Sequence, residues 1–412
     1  MSYINVFGLR CLLILLSLAA EAATLTLDKA IALAGQNHPQ LRAGVAQVDV
    51  ARAGILTARA YPNPSAGVRA GGQDYRVPGN VRGFVSSYVF SQPLELGSLR
   101  SARTQLAERG RESSELALSS TRLSVLSAVR RSFYQALRRQ GEIAIHAENL
   151  RLVEDFRKRI QVRVEVGEAG RLELYRAEAE VATARTAANS AQLQYVAALS
   201  QLRAAVGASM DSEIHPEGKL DPAIHLPSLE SLQREVMARH PLIGLAEAEV
   251  RRAEARLNYE SALKRPQPSL EVEIERPPDV PIYRAGINIA LPFWNRREGP
   301  IAEATAQLRQ ARALAENSRL QLFAALSSAY ERYQVATAQL AAFQEGLLRE
   351  AEESIRAAET AYRLGERGIL EVLDAQRILR TVRLDLLNAQ YDRQAALVDM
   401  DEVRAVELGK KP

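Results

Sequence analysis

Residues 166–174 have the sequence VGEAGRLEL, and residues 364–372 have the sequence LGERGILEV. Each stretch interrupts a long segment rich in Ala, Leu, Glu and Arg with two glycines three positions apart, and the helical pattern resumes directly afterwards. Glycine adopts the positive φ values at which helices end, so Gly-x-x-Gly between two helices predicts a tight reversal. The sequence therefore predicts two long helical hairpins that turn at the same motif. One such turn is explained as a plain connector, whereas its duplication favours a contact site on a rigid scaffold.

The composition of the 412-residue chain is that of long helices. It is 47% hydrophobic and 25% charged but only 5% aromatic, and its formal net charge is +4. Abundant Ala, Leu, Glu and Arg with few aromatic residues are typical of coiled coils. No basic block, zinc-ligand spacing, nucleophile elbow or phosphate-binding loop occurs, so we expect no nucleic-acid partner, no cofactor and no enzymatic activity.

The N-terminus predicts a secretory signal peptide over residues 1–22. Arg10 precedes an apolar run at 12–20, and the small residues of AEA at 20–22 provide a cleavage site. The run is shorter than the roughly 20 residues that a spanning helix needs. The single cysteine, Cys11, precedes the apolar run, so the mature chain contains no cysteine and we expect neither a disulfide nor a cysteine metal site.

The mature chain is a tandem duplication. His38-Pro39 recurs as His240-Pro241, and the proline-rich segment at 62–64 recurs at 266–268. The turn at 166–174 recurs at 364–372, so the markers follow one another in the same order in both halves. Each repeat is predicted to contain a helix, two strands, a long helix, the turn and a return helix. The predicted boundaries are 23–227 and 228–412 for the repeats, 65–92 and 269–291 for the strand hairpins, 166–172 and 364–370 for the turns, and 207–227 for the linker.

The strands are apolar on one side. Residues 269–275 alternate strictly, so period two places Leu270, Val272 and Ile274 on one face and the glutamates of the stretch on the other. Such strands suit an outer-membrane barrel and equally a small soluble sheet on a helical core. Four strands cannot close a barrel, which needs about eight, and the long hairpins need lateral neighbours to cover their apolar stripes. Both elements therefore predict an oligomer.

The sequence resembles the TolC-type outer-membrane efflux proteins from about Leu25 to Arg404. The resemblance is carried by the paired His-Pro motifs, the two turns, SQPLELG at 91–97 and LPFWNR at 291–296. The last two segments are most similar to the CzcC-like branch, which serves cobalt–zinc–cadmium efflux. The resemblance implies a mainly α fold with a small β part. In it, coiled-coil hairpins of a homotrimer form an α-barrel, and four strands per chain contribute to a shared 12-stranded transmembrane β-barrel.

The resemblance also implies a function and partners. It predicts a passive channel in the outer membrane of a Gram-negative bacterium that extends into the periplasm. A periplasmic adaptor (membrane fusion protein) and an inner-membrane pump of the resistance-nodulation-division type are its expected partners, together with outer-membrane lipid. The expected cargo is divalent heavy-metal cations, with drugs or other organic molecules as the alternative. Outside the channel class, the alternative is a secreted coiled-coil scaffold or adaptor.

Finally, the resemblance assigns residues. Glu371 and Asp374 match an acidic pair that lines the entrance constriction, and their i, i+3 spacing puts them on one helical face; the alternative is a solvated face. Tyr362 and Arg367 fall where relatives carry residues that tie the tip closed, with Asp155 as a candidate acidic partner. The residues assigned to adaptor docking are Val166, Gly167, Glu168 and Gly170 at the first turn and Leu364, Gly365, Glu366 and Gly368 at the second.

Two further groups of residues were considered for binding. Glu271, Glu273 and Glu275 would face the lumen of a shared barrel, where they would favour cations or only keep the pore hydrated. The five histidines are scattered without metal-ligand spacing, so we expect no metal site. Arg176 occupies the position in the first repeat that Asp374 occupies in the second, so the acidic pair is not duplicated.

Overall fold

The computed structural model describes residues 24–74, 81–95, 97–207, 214–220 and 226–406. The predicted signal peptide lies outside these residues, as do residues 208–213 and 221–225 of the predicted linker. None of the described helices combines the length and the apolarity that a helix needs to cross a membrane.

The fold is mainly α-helical with a small β part, as predicted, and both repeats have the same order of long elements. The elements of the first repeat are β1 (Thr24–Leu25), α1 (Leu27–Asn37), α2 (Pro39–Arg59), β2 (Ser65–Gln73), β3 (Gly83–Pro93), α3 (Leu99–Glu165), α4 (Arg171–Val206) and β4 (His215–Pro216). Those of the second are α5 (Leu229–Arg239), α6 (Pro241–Ala262), β5 (Pro268–Arg276), β6 (Ile282–Ile289), α7 (Glu298–Ala342), α8 (Leu348–Arg363) and α9 (Ile369–Val403).

The duplicated His-Pro motif joins two helices in each repeat. His38 ends α1 and caps α2, and its Nδ1 accepts a hydrogen bond from the backbone N–H of Gln40 at 3.3 Å. His240 does the same between α5 and α6, with Leu242 as the donor at 3.1 Å. The following proline occupies the first helical position, where no backbone N–H is needed. The motif is therefore structural in both repeats.

Helix α3 is the longest helix among the described residues. Its 67 residues make a rod of roughly 100 Å at the rise of an α-helix, and it packs along α2, α4, α6 and α9. Near its middle, Val129 and Phe133 are buried with Leu202 of α4 and Val398 of α9 in the largest apolar cluster. The two repeats are thus joined through one core.

One long helix is less regular than the duplication predicts. The partner of α3 in the second repeat is interrupted by a π-helical turn at Phe343–Leu347 that separates α7 from α8. Gly346 lies inside this turn with φ 130°, a value that only glycine adopts without strain. The sequence pattern gave no sign of the interruption, because the apolar periodicity continues on both sides.

The four long strands form one antiparallel sheet in the order β2-β3-β5-β6. The register pairs Tyr88 with Ile274 and Ile274 with Tyr283. Paired residues share a face, so the apolar side chains of the first hairpin lie on the same side of the sheet as the predicted apolar face of the second. That side is exposed in the isolated chain, and β2 and β6 are free edges. The large apolar side chains exposed in the sheet are Val68, Phe84, Tyr88, Phe90, Leu270, Val272, Ile282, Tyr283, Ile287 and Ile289.

Candidate functional site

The first turn closes α3 with a paired backbone motif. Gly167 has φ 82°; its N–H donates to Val164 O at 3.2 Å, and the N–H of Glu168 donates to Arg163 O at 2.8 Å. These two bonds satisfy carbonyls at the helix end and require a left-handed residue at the glycine. Gly170 has φ −80° and caps α4 at its N-terminus, so only the first glycine of the motif uses a conformation reserved for glycine.

The second turn has the same geometry. Gly365 has φ 75°; its N–H donates to Tyr362 O at 3.1 Å, and the N–H of Glu366 donates to Ala361 O at 2.9 Å. Gly368 has φ −85° and begins α9. The two copies of the sequence motif are therefore two copies of one turn.

An apolar cluster fastens the two turns together. It contains Phe156 and Ile160 of α3, Tyr362 of α8, and Ile369 and Val372 of α9, all of which are buried. Ala177 of α4 completes it. Because its members come from both hairpins, the tips of the hairpins form one unit in a single chain. We refer to this set as the tip cluster.

Tyr362 connects the tip cluster to a carboxylate. Its side chain is only 7% exposed, and its hydroxyl donates to Glu173 Oε2 at 2.7 Å. The ring packs edge-on against Phe156 with centroids 5.5 Å apart, and the guanidinium of Arg163 lies 4.8 Å from the ring centroid. Burial, and then the neighbouring carboxylate of Glu173, raise the pKa of Tyr362 to about 12.

This contact corrects one expectation. Asp155 was the candidate partner for Tyr362 or Arg367, but its carboxylate lies 3.1 Å from Lys158 on the same helix. The acidic partner of Tyr362 is Glu173 of the first hairpin. Arg367 is exposed and forms no ion pair within the described part of the chain.

The predicted acidic pair lies beside this contact. Glu371 and Asp374 follow the second turn in α9, and both are exposed, whereas Val372 between them is buried in the tip cluster. They therefore share the outward face of the helix, as their spacing predicted. Neither forms an ion pair within the described residues, so the face keeps its negative charge. In the first repeat, Arg176 is exposed at the position of Asp374.

The outer ends of both turns are exposed and alike. Val166 is 65% exposed and Leu364 is 67% exposed, and each ends its helix directly before the left-handed glycine. Glu168 and Glu366 follow at equivalent exposed positions. The two turns thus present an apolar side chain and a carboxylate at equivalent positions, and Glu168 also lies 3.6 Å from Arg163.

The glutamates of β5 lie on the polar face of the sheet. Glu273 accepts from Ser87 at 2.6 Å, and Arg284 of β6 contacts Glu273 at 3.3 Å and Glu275 at 2.6 Å. Glu271 pairs with Ser91 and Gly286 in the register and forms no ion pair within the described residues. The face is therefore of mixed charge rather than a row of free carboxylates.

Sequence reasoning missed Glu173, Phe156 and Arg163 as members of the site. Glu173 lies within the first turn motif, and its equivalent in the second copy is Glu371. Residue Tyr362 corresponds to Val164 in the first copy, which has no hydroxyl. Comparing the two copies position by position would have shown that one glutamate has a possible tyrosine donor and the other has none.

Known proteins resemble this chain in both of its repeats. Residues 30–208 and 232–403, more than half of the chain, match the outer membrane efflux protein family. The cobalt-zinc-cadmium resistance protein CzcC of Cupriavidus metallidurans is 28% identical over 386 residues, which cover 93% of this chain and 90% of CzcC. The pyoverdine export outer membrane protein OpmQ of Pseudomonas putida is 26% identical over 378 residues, which cover 86% of this chain and 80% of OpmQ.

Solved structures show the same fold. Crystal structures of CusC match with a TM-score of 0.75 at 21% identity, covering 92% of this chain and 91% of CusC. The resemblance inferred from the paired motifs is thereby confirmed. Because the family match spans both repeats, the chain belongs to the outer membrane efflux protein family.

Proposed function

We propose that three copies of this chain form the outer-membrane channel of a tripartite pump that exports divalent heavy-metal cations. The observation that carries the proposal is the exposed acidic face of Glu371 and Asp374, which form no ion pair within the described residues, beside the tip cluster. Carboxylates around a narrow pore favour cations, and three chains would contribute six of them.

Part of this function follows from the family alone. Its members are outer-membrane channel proteins, so the chain is an efflux channel rather than an enzyme, located in the outer membrane and extending into the periplasm. The alternative of a secreted scaffold or adaptor is therefore wrong. What remains to be proposed is the assembly, the gate, the partners and the cargo.

The sheet supports the trimer. It has two free edges, β2 and β6, and an exposed apolar face. Free edges readily pair with another chain, so the β2 edge of one copy would pair with the β6 edge of the next. Three four-stranded sheets would then close one barrel, with the apolar face towards lipid and Glu271, Glu273 and Glu275 towards the lumen. Because Arg284 offsets part of the negative charge of Glu273 and Glu275, the barrel would be a hydrated passage rather than a cation filter.

The tip supports a gate. Tyr362 of the second hairpin is held by Glu173 of the first, and the acidic pair lies at the start of α9, directly after the second turn. Opening the entrance would require the second hairpin to move away from the first, which breaks this bond and exposes part of the tip cluster. Arg367, exposed on the turn, would contribute a contact to a neighbouring hairpin in the closed trimer.

The matching surfaces of the two turns support docking. Val166 with Glu168, and Leu364 with Glu366, would give six similar contact sites around the periplasmic end of a trimer. A periplasmic adaptor with helical hairpins fits this arrangement, and an inner-membrane pump of the resistance-nodulation-division type would supply the energy. Gly167, Gly170, Gly365 and Gly368 shape these sites.

The cargo is best tested genetically. A deletion strain should lose resistance to Co, Zn, Cd or related metal salts and keep its resistance to a drug panel, and the wild-type gene should restore the metal resistance. CzcC supports a metal cargo, whereas OpmQ favours export of an organic molecule. Sensitivity to drugs or accumulation of a siderophore, without a metal phenotype, would establish the second function instead.

The gate is best tested by recording. The double substitution Glu371→Gln with Asp374→Asn should weaken the block of single channels by multivalent cations, because the constriction loses its charge. The matched control, Glu316→Gln with Glu331→Gln, removes two exposed carboxylates from α7 and should leave the block unchanged. Equal block in the wild type and the gate variant would exclude these carboxylates from the constriction.

A further inference from the structure

An exposed pair of aromatic residues lies between β6 and α7, at the end of the sheet that adjoins the long helices. Trp294 is 96% exposed and Phe293 is 65% exposed, and their rings meet edge-to-face with centroids 6.3 Å apart. They follow β6, whose last residue Ile289 is also exposed, as is Leu291. The apolar strip of the strand therefore continues into this corner and ends there.

The corner is held in place. The N–H of Phe293 donates to Leu291 O at 2.9 Å, and the N–H of Arg297 donates to Asn295 Oδ1 at 3.0 Å. Arg297 has φ 58°, a backbone conformation that a residue other than glycine adopts only when its surroundings hold it there. Its guanidinium contacts Glu260 at 2.5 Å, which attaches the corner to the end of α6.

Three cations in the segments before β5 and after β6, which leave the sheet at the Pro268–Ile289 pair, lack a counterion among the described residues. Lys264 and Arg265 follow α6, and Arg296 lies in the corner; all three are exposed and form no ion pair within the described residues. The neighbouring cations are different, because Arg297 contacts Glu260 and Arg103 contacts Glu95. A single exposed carboxylate, Glu298, has no cationic partner among the described residues of the corner. The surface is therefore positively charged.

This combination of side chains is suited to a membrane surface. Indole rings favour the boundary between hydrocarbon and water, and exposed cations next to that boundary attract anionic headgroups. Because all the long helices lie at this end of the strands, the corner faces the periplasmic leaflet when the strands span the outer membrane. Three properties thus coincide: an apolar strip that ends, an aromatic pair, and unpaired positive charge.

We propose that Lys264, Arg265 and Arg296, with Trp294, form a binding site for the headgroup of an anionic phospholipid in the periplasmic leaflet. The inference rests on the proposed membrane insertion of the strands. Trp294 would lie at the level of the ester groups, and the three cations would contact the phosphate and its neighbours. Each cation near a membrane surface contributes about fivefold in affinity for anionic lipid, so the site should enrich such lipid by at least tenfold.

The chain offers a direct probe, because Trp294 is its only tryptophan. The full-length protein is reconstituted in phosphatidylcholine vesicles that contain a small, fixed mole fraction of lipid brominated near the headgroup end of its acyl chains. In one series the brominated lipid is phosphatidylglycerol, and in the other it is phosphatidylcholine. We expect brominated phosphatidylglycerol to quench Trp294 fluorescence at a far lower mole fraction, and added salt to reduce the difference.

Variants separate charge from position. Lys264→Gln with Arg265→Gln and Arg296→Gln should abolish the preference for phosphatidylglycerol and keep the quenching by phosphatidylcholine. The control removes three exposed arginines without ion pairs elsewhere in the described helices, Arg151→Gln, Arg309→Gln and Arg377→Gln, and should keep the preference.

Each failure has its own signature. Equal quenching by the two lipids in the wild type overturns the binding site, and absence of quenching by both shows that Trp294 faces the lumen or a neighbouring protomer. A protein that does not float with the vesicles on a density gradient overturns the proposed membrane insertion itself. The floating fraction therefore distinguishes failure of the function from failure of the lipid site.

Discussion

Removing one hydroxyl group should loosen the closed tip. In Tyr362→Phe the ring keeps its packing against Phe156 and its contact with the guanidinium of Arg163. What is lost is the hydrogen bond to Glu173, together with the smaller interaction of the hydroxyl with the guanidinium of Arg163. The substitution therefore tests this bond with little change in the volume of the tip cluster.

The size of the effect follows from the geometry. A hydrogen bond to a charged group contributes about 1.5–3 kcal/mol. The rise in the pKa of Tyr362 from 10.0 to about 12 corresponds to roughly 3 kcal/mol, of which burial takes the largest share and Glu173 the next. Because Glu173 is only half-buried, we expect roughly 1–2 kcal/mol for each bond, which shifts the opening equilibrium about 5- to 30-fold per chain.

Conductance measures this shift. Reconstituted Tyr362→Phe channels should open more often, or to a higher conductance, than the wild type in planar bilayers. Tyr391→Phe is the matched control, because it removes the hydroxyl of a tyrosine that lies under Arg138 in the middle of the fold. If Tyr362→Phe conducts like the wild type while Glu173→Ala opens the channel, the bond between them does not hold the tip.

Alkaline pH gives an independent test of the same bond. A tyrosine whose pKa is raised on closing holds its proton more tightly in the closed state, so its contribution is complete below pH 10 and is lost as the pH rises towards 12. The opening of wild-type channels should therefore increase across this window. Tyr362→Phe should lack this component, and an unchanged alkaline response would assign it to another group.

Two further predictions concern the turns and the helix caps. Gly365→Ala should weaken the second turn by about 1–2 kcal/mol, measured as loss of adaptor binding to an intact trimer, because Gly365 has φ 75°. Gly368→Ala, where φ is −85°, should bind normally; equal loss in both variants would show that bulk and not backbone is responsible. Burial lowers the pKa of His240, so the stability that its neutral ring contributes is complete above pH 6.5 and is lost as the pH falls below it. His240→Asn should therefore reduce the drop of the thermal midpoint between pH 8 and pH 5, and a drop as large as in the wild type would assign it to another group.

Much of the fold could be predicted because it is set by local patterns. The alternation at Leu270, Val272 and Ile274 fixes which face of β5 is apolar, and the register confirms it. Likewise Gly167 and Gly365 indicate the turns, because a residue in the left-handed conformation is needed where each helix ends. These features depend on a few neighbouring residues and are therefore visible in the sequence.

The interruption of the helix at Phe343–Leu347 could not be predicted in this way. A single glycine within a helical pattern is tolerated at a cost of about 1 kcal/mol, so Gly346 alone does not indicate a π-helical turn. Whether the helix continues or breaks there depends on packing against α9, which holds elements on both sides of the turn. That contact joins residues that are far apart in the chain.

The partner of Tyr362 was missed for a related reason, and it explains why the two turns differ. Glu173 and Glu371 occupy the same position in the two copies, and each lies in the first turn of its helix. Only Glu173 faces a tyrosine, because the residue equivalent to Tyr362 in the first copy is Val164. Glu173 is therefore engaged in holding the hairpins together, whereas Glu371 stays exposed with Asp374. The phenol of Tyr362 in place of the isopropyl group of Val164 thus accounts for the different contacts of the two glutamates. Glu173 is hydrogen-bonded between the hairpins, whereas Glu371 is exposed and, in the proposed channel, is free to interact with a passing cation.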